Sequence, residues 1–98
     1  MSRRPSFNRL AKQELLEASA YYEVEASGLG DRFLSAVEKV VAELVEFPES
    51  GPIIRTDIRR KLVPRFPYSL LYKVRSQEIR ILAVAHQKRR PFYWVGRS

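Results

Sequence analysis

The chain has 98 residues and a formal net charge of +7, with 45% apolar and 30% charged side chains. This length suits one domain, and the apolar fraction argues against global disorder because it can offset the entropy of ordering the chain. The lack of cysteine and the single histidine exclude a disulfide framework, a zinc finger and a thiol nucleophile. We therefore expect one domain over residues 1–98, with no metal or other cofactor.

Charge is distributed unevenly along the chain. Residues 1–54 hold 6 basic and 9 acidic side chains, whereas residues 55–98 hold 12 basic and 2 acidic ones. Such a basic half attracts polyanions or acidic protein segments, although an ordinary solvated surface can have the same composition. A negatively charged partner is the favoured interpretation.

The N-terminal segment bears on localisation. Its first residues, Met-Ser-Arg-Arg-Pro, lack the apolar core of a signal peptide. No stretch of the chain approaches the roughly 18 consecutive apolar residues of a membrane span. These features predict a cytoplasmic protein with no membrane partner.

Two amphipathic helices are predicted between residues 8 and 47. Apolar residues recur at helical spacing in the first helix, at Ala11, Leu15, Ala18 and Tyr22, and in the second, at Phe33, Val37, Val40, Val41 and Leu44. Asn8 can cap the first helix, Gly28 can end it, and Pro48 cannot continue the second. The short connection predicts an antiparallel helix hairpin over residues 8–47.

Alternating apolar residues predict a β-meander over residues 55–86, with runs at 58–65, 68–75 and 78–85 and a weak edge strand at 3–7. Strict alternation in the last run puts Ile79, Ile81, Ala83 and Ala85 on one face and Arg80, Leu82, Val84 and His86 on the other. The sequence thus predicts an α+β fold, in which the helix hairpin packs on a three- to four-stranded antiparallel β-sheet. The other sheet face, which bears Arg and Lys, is expected to be open to a partner. Residues 87–98 form a basic, aromatic C-terminal tail.

Basic residues around the first strand of the meander are candidates for binding phosphate or another anionic target. Regular alternation places Arg59, Lys61 and Arg65 on one face and Arg60 on the other. Guanidinium groups bind phosphate oxygens in pairs, which favours a phosphate-facing stripe. The alternative is an edge strand that carries charge to prevent aggregation.

The C-terminal end of the last strand gathers groups that can move protons and stabilise charge. His86, Arg89 and Tyr93 suit metal-free cleavage of RNA, which needs a base, an acid and a cation for the phosphorane. Tyr93 and Trp94 can also stack on bases. The alternative is that His86 only closes a strand hydrogen bond, while Tyr93 and Trp94 pack as a C-terminal plug on the helices.

Four groups of residues in this order resemble the RelE/ParE superfamily of toxins from bacterial type II toxin–antitoxin modules, which includes proteins called plasmid stabilisation proteins. The groups are Leu15-Leu16-Glu17-Ala18 with Tyr21-Tyr22-Glu23, Gly30-Asp31-Arg32-Phe33, Arg59-Arg60 ahead of Arg65-Phe66-Pro67-Tyr68, and Ala83-Val84-Ala85-His86 with Arg89, Pro91 and Tyr93-Trp94. The resemblance spans about residues 8–97. It implies a small α+β fold, arrest of bacterial growth, and a hetero-oligomer with a cognate antitoxin whose C-terminal segment wraps the toxin.

The resemblance leaves two targets open, because the superfamily contains gyrase inhibitors similar to ParE and ribosome-dependent mRNA endonucleases similar to RelE. The endonuclease branch typically has an arginine where this chain has Ser69, directly after Tyr68. Its other basic and C-terminal residues are matched here by Arg60, Lys61, Arg89 and Tyr93, with His86 as the expected proton acceptor. We expect DNA gyrase as the target, ahead of mRNA cleavage on the ribosome. A non-toxic DNA-binding or stabilising protein is the third alternative.

Overall fold

The helical layer consists of α1 (Arg9–Glu25) and α2 (Leu29–Glu46), seen in a computed structural model that describes residues 3–98. Met1 and Ser2, which belong to the N-terminal segment considered above, lie outside the described residues. Asn8 caps α1 as predicted, since its side-chain oxygen accepts hydrogen bonds from the N–H groups of Leu10 and Ala11. Neither helix is long and apolar enough to cross a membrane, within the part of the chain that is described.

The turn between the helices explains why the hairpin is tight. Gly28 has a φ of 85°, in the left-handed region that glycine adopts without strain. The Glu23 carboxylate accepts hydrogen bonds from the N–H groups of Gly28 and Gly30, at 2.9 and 3.0 Å. A Cβ on Gly30 would lie 2.5 Å from the Ser19 carbonyl oxygen, so only glycine allows the helices to approach this closely.

Five strands form one sheet: β1 (Arg4–Phe7), β2 (Ile53–Arg55), β3 (Ile58–Val63), β4 (Tyr68–Val74) and β5 (Glu78–His86). Their order is β1-β5-β4-β3-β2, with β1 parallel to β5 and the other neighbours antiparallel. The predicted α+β class is confirmed, and β1 is the expected edge strand. The sheet has one strand more than predicted because β2 is only three residues long, too short to show an alternating pattern.

A β-bulge in β5 overturns the strict alternation predicted for that strand. The register pairs are Leu71 with Ala83 and Tyr72 with Ile81, which leaves Leu82 without an opposite residue. Beyond Leu82 the faces exchange. Val84 therefore joins Ile81 in the core under the helices, whereas Ala85 lies on the other face.

The face of the sheet away from the helices is partly covered, contrary to the open face that the sequence predicted. A second apolar cluster on this face consists of Ile58, Leu71, Leu82, Ala83, Ala85 and Trp94, which we call the Trp94 cluster. Residues 87–98 supply Trp94, and its side chain is only 4% exposed. The C-terminal segment thus seals the centre of this face, while charged side chains surround it.

Candidate functional site

The C-terminal segment is fastened to α1 and β5 through the side chain of Glu14. One carboxylate oxygen accepts a hydrogen bond from the Val84 N–H at 3.0 Å, and the other accepts one from the Tyr93 hydroxyl at 2.7 Å. Arg97 binds the same carboxylate through two guanidinium nitrogens, at 2.9 and 3.1 Å. The Glu14 and Arg97 side chains are 13% and 12% exposed, so this is a nearly buried, fully bonded ion pair.

The position of the ion pair follows from the short length of β1. That strand pairs only with residues Glu78 to Ile81 of β5, so the second half of β5 has no neighbouring strand on this side. Glu14 accepts from the Val84 N–H, and Arg97 donates to the Leu82 carbonyl at 3.1 Å. Side chains therefore satisfy backbone groups that an edge strand would otherwise leave unpaired.

Tyr93 lies close to two guanidinium groups. The guanidinium carbon of Arg89 is 3.9 Å from the centre of the Tyr93 ring, and that of Arg97 is 5.1 Å away. Burial raises the pKa of the Tyr93 phenol well above its ordinary value of 10, and the hydrogen bond to the Glu14 carboxylate raises it further. The hydroxyl proton is thus held in an internal bond rather than offered to a substrate.

The phenol makes a contribution to stability that depends on pH. Because its folded-state pKa lies above its unfolded value, that contribution is complete below about pH 10 and is lost as the pH rises through the folded-state pKa. We expect Tyr93→Phe to lower the free energy of unfolding at about pH 8 by about 1 kcal/mol. The difference from the wild type should shrink at about pH 11. Urea unfolding at both pH values measures it, and a difference that grew at high pH would contradict the assignment.

His86 stands at the end of β5, on the side of the helices. Its Nδ1 accepts a hydrogen bond from the Lys88 N–H at 3.0 Å, which leaves Nε2 to carry the proton in the neutral ring. The imidazole packs edge-on against Tyr68, with ring centres 5.0 Å apart. His86 and Arg89 line a small cleft of about 180 Å³ together with Tyr68 and parts of α1. The structure thus brings the three predicted catalytic residues close together, since Glu14 also lines this cleft, but it bonds the Tyr93 hydroxyl to the Glu14 carboxylate.

The basic residues predicted as one anion-binding stripe fall into three environments. Arg59 donates hydrogen bonds to the carbonyl oxygens of Glu49 and Gly51, and Lys61 forms an ion pair with Glu43 at 2.8 Å. Arg60 is exposed on the opposite face of β3. Arg65 lies beyond the end of β3, in the turn before β4, where its φ of 70° is unusual for a residue with a side chain.

Trp94 does not present its ring to solvent. The indole is buried in the Trp94 cluster, so the prediction that it stacks on bases or on a target surface is wrong for this conformation. Trp94 does pack as a plug, but the prediction that the plug lies on the helices is wrong, because the indole covers the face of the sheet away from them. The exposed aromatic side chain of this segment is that of Phe92, with the Arg55 guanidinium 5.2 Å from its ring centre.

An apolar groove of about 780 Å³ runs between α2 and the turn before β4. Its floor includes Val40 of α2 and Phe66 of the turn. Its rim carries basic and acidic side chains: Arg32, Lys39, Arg65, Asp31 and Glu43. A groove of this kind suits an amphipathic partner segment that buries apolar side chains and pairs its charges at the rim.

The ion pair between Glu14 and Arg97 was not predicted from the sequence, although the position of Glu14 on α1 indicates that its carboxylate is partly buried. Glu14 lies three residues after Ala11 and four before Ala18, so it borders the buried face of α1. A carboxylate at that position needs buried partners. What the sequence does not show is that Arg97, 83 residues away, supplies one of them.

Comparison with known proteins identifies the class. The family model for the ParE toxin of type II toxin–antitoxin systems, parDE, matches residues 6–91, so this chain belongs to that family of bacterial toxins. A solved structure described as the chromosomal ParDE toxin–antitoxin system from P. aeruginosa has the same fold. Its TM-score is 0.63 at 23% identity, over 86% of this chain and 95% of that one. None of the curated proteins searched matches this chain.

Proposed function

We propose that this toxin arrests bacterial growth by binding and inhibiting DNA gyrase, and that it does not cut RNA. Membership of the ParE family supports the gyrase target, which the resemblance to ParE-like gyrase inhibitors already favoured. The observation that carries the choice against cleavage is the 2.7 Å bond between the Tyr93 hydroxyl and Glu14. A phenol with a raised pKa, bonded to a buried carboxylate, is a poor proton donor to a leaving group.

The phosphate-binding part of an RNA-cleaving site is also incomplete. Arg59 and Lys61 are engaged with the protein's own carbonyl and carboxylate oxygens. Ser69, which stands where the endonuclease branch has arginine, is 8% exposed on the face away from the helices. These contacts favour a protein that acts by binding its target.

A cognate antitoxin is the second partner of the proposal. The groove along α2 has apolar walls for the antitoxin segment, and Arg32, Lys39 and Arg65 at its rim can pair with acidic side chains. Such pairing accelerates association and makes it depend on salt. The complex is therefore a hetero-oligomer in which the helical side of the toxin is covered.

RNA cleavage on the ribosome is kept as a second candidate because His86 and Arg89 share one cleft. The double variant His86→Ala/Arg89→Ala separates the two functions. In a ribonuclease this change removes the base and a cation, and the rate falls by orders of magnitude. In a gyrase-binding protein it weakens one contact surface by a few kcal/mol at most.

We expect both the wild type and this double variant to arrest growth when induced without antitoxin. RNA 5′ ends, mapped across the transcriptome minutes after induction, should not change at positions within translated codons. Immunoblotting confirms that both proteins accumulate. New 5′ ends at reproducible codon positions, lost in the double variant, would contradict gyrase as the target and show that the protein cleaves mRNA. Normal growth while folded protein is present would contradict the proposal that this protein is toxic.

A further inference from the structure

A row of basic side chains crosses the sheet on the face away from the helices. Consecutive strands pair Arg55 with Ile58, Ile58 with Lys73, and Lys73 with Arg80. Residues directly opposite each other share a face, and Ile58 belongs to the Trp94 cluster. Arg60 lies two residues after Ile58 and therefore on the same face. Together Arg55, Arg60, Lys73 and Arg80 form what we call the basic row.

The basic row is electrostatically unfavourable in the isolated protein. Lys73 stands directly opposite Arg80, and like charges at such positions destabilise a sheet. The only ion pair of the row within residues 3–98 is a long one, 3.9 Å from Lys73 to Asp57. Arg80 donates hydrogen bonds to the Ser6 hydroxyl and the Ser98 carbonyl, whereas its Nε is buried without a hydrogen-bond partner among the described residues. A bound anion would relieve this repulsion.

The rest of the molecule would orient a polyanion towards the basic row. The two helices carry eight acidic and four basic side chains, so the layer on the opposite side of the sheet is negatively charged. The four cavities described for this protein also border the helical layer. A polyanion is thus repelled by the net negative charge of the helical layer, except at the basic rim of the α2 groove, and attracted to the sheet.

We propose that the basic row binds the phosphate backbone of double-stranded DNA without reading its sequence. Four adjacent strands at about 4.8 Å spacing span roughly 14 Å, along which a duplex presents roughly eight phosphates. An acidic peptide suits this face less well. Trp94 fills the centre of this face, so a helix finds no groove on it, and a further strand could be added only along an edge of the sheet, not across its face.

Duplex DNA also fits better than a single strand. Binding of single strands relies on aromatic rings on which successive bases stack. Here the Trp94 indole is buried and the Phe92 ring is already contacted by Arg55. The proposal does not depend on gyrase. If both proposals hold, the toxin contacts DNA with its sheet while it binds the enzyme.

Fluorescence anisotropy with a labelled duplex of about 20 bp tests the proposal on the isolated toxin. For the wild type we expect a Kd between about 1 and 100 µM near physiological salt, rising with salt at a log–log slope of about 3 to 4. Arg55→Gln/Arg60→Gln should weaken binding at least about tenfold and reduce that slope by about 2. Both side chains are exposed and only the contact of Arg55 with Phe92 is lost, so the melting temperature should fall by a few degrees at most.

The matched control is Arg9→Gln/Lys12→Gln, which removes the same charge from exposed positions of α1. It should change the Kd less than about twofold, because the lost charges lie far from the row. Arg60→Gln alone, with an intermediate loss, provides a second variant if the double variant unfolds.

Three results would overturn the proposal: no binding by the wild type, equal weakening by both double variants, or displacement of the duplex by polyglutamate as readily as by unlabelled DNA. Gyrase inhibition is scored separately by a supercoiling assay. If the toxin inhibits gyrase but does not bind DNA, the DNA-binding proposal is wrong and the proposed inhibition of gyrase still holds.

Discussion

Glu14→Gln should lower the free energy of unfolding by about 3 kcal/mol, since removing one partner of a buried ion pair leaves the other charge uncompensated. Arg97 would keep its guanidinium in a nearly buried position without a carboxylate. The Tyr93 hydroxyl and the Val84 N–H would lose part of their acceptor as well. For a domain of this size the loss corresponds to a fall in Tm on the order of 15 °C.

Urea unfolding followed by circular dichroism measures the effect, and Glu17→Gln is the matched control. Glu17 lies one turn further along α1, is exposed, and makes one long hydrogen bond with Gln13. Its substitution should change stability by less than about 0.5 kcal/mol. Equal losses in the two variants would mean that Glu14 does not fasten the C-terminal segment.

Trp94→Ala should also cost about 3–5 kcal/mol, because it removes the largest side chain of the Trp94 cluster and leaves a cavity above the sheet. Residues such as Leu71 and Leu82 would then face water. The effect is measured by thermal and urea unfolding. If the alanine variant fails to fold, Trp94→Phe gives a smaller loss that can still be measured.

Phe92→Ala is the control for that prediction, since Phe92 is 46% exposed and lies two residues before Trp94. Its loss removes the Arg55 contact and an edge contact with Trp94, which together contribute about 1 kcal/mol. Trp94 is the only tryptophan, so its fluorescence reports its own environment. Emission typical of a water-exposed indole, or equal losses from the two variants, would contradict the plug.

The helical layer could be predicted from the sequence because its signals are local. Apolar residues at helical spacing, the Asn8 cap and the Gly28 turn each act within a few residues, and all three are found in the structure. The alternation in β4 likewise determined which of its residues face the helices. Local patterns of this kind are enough to define an α+β fold of two helices on a sheet.

The faces of β5 could not be predicted, since both are apolar and the bulge at Leu82 leaves no mark in the pattern. The candidate site was only partly predictable for a related reason. His86 and Arg89 are close in sequence and lie together, but the role of Tyr93 is set by Glu14, 79 residues away. Arg59 and Lys61 alternate as expected, yet whether they are free depends on Glu43 and the loop before β2.

The basic row also could not be predicted, because it depends on the register of the strands. Arg55, Lys73 and Arg80 are far apart in sequence, and only the pairing of β2 to β5 aligns them. Composition did indicate that the second half of the chain is basic. The acidic residues of the first half fall mainly in the predicted helix hairpin, so their collection on the opposite layer followed from the sequence as well.

The most direct test of the proposed function is the supercoiling of relaxed plasmid by purified DNA gyrase and ATP in the presence of increasing toxin. We expect supercoiling to be lost in a dose-dependent manner, and His86→Ala/Arg89→Ala to retain inhibition with at most a modest loss of potency. Supercoiling should be restored when the cognate antitoxin is added before the toxin. Full supercoiling at a large molar excess of folded toxin would contradict gyrase as the target.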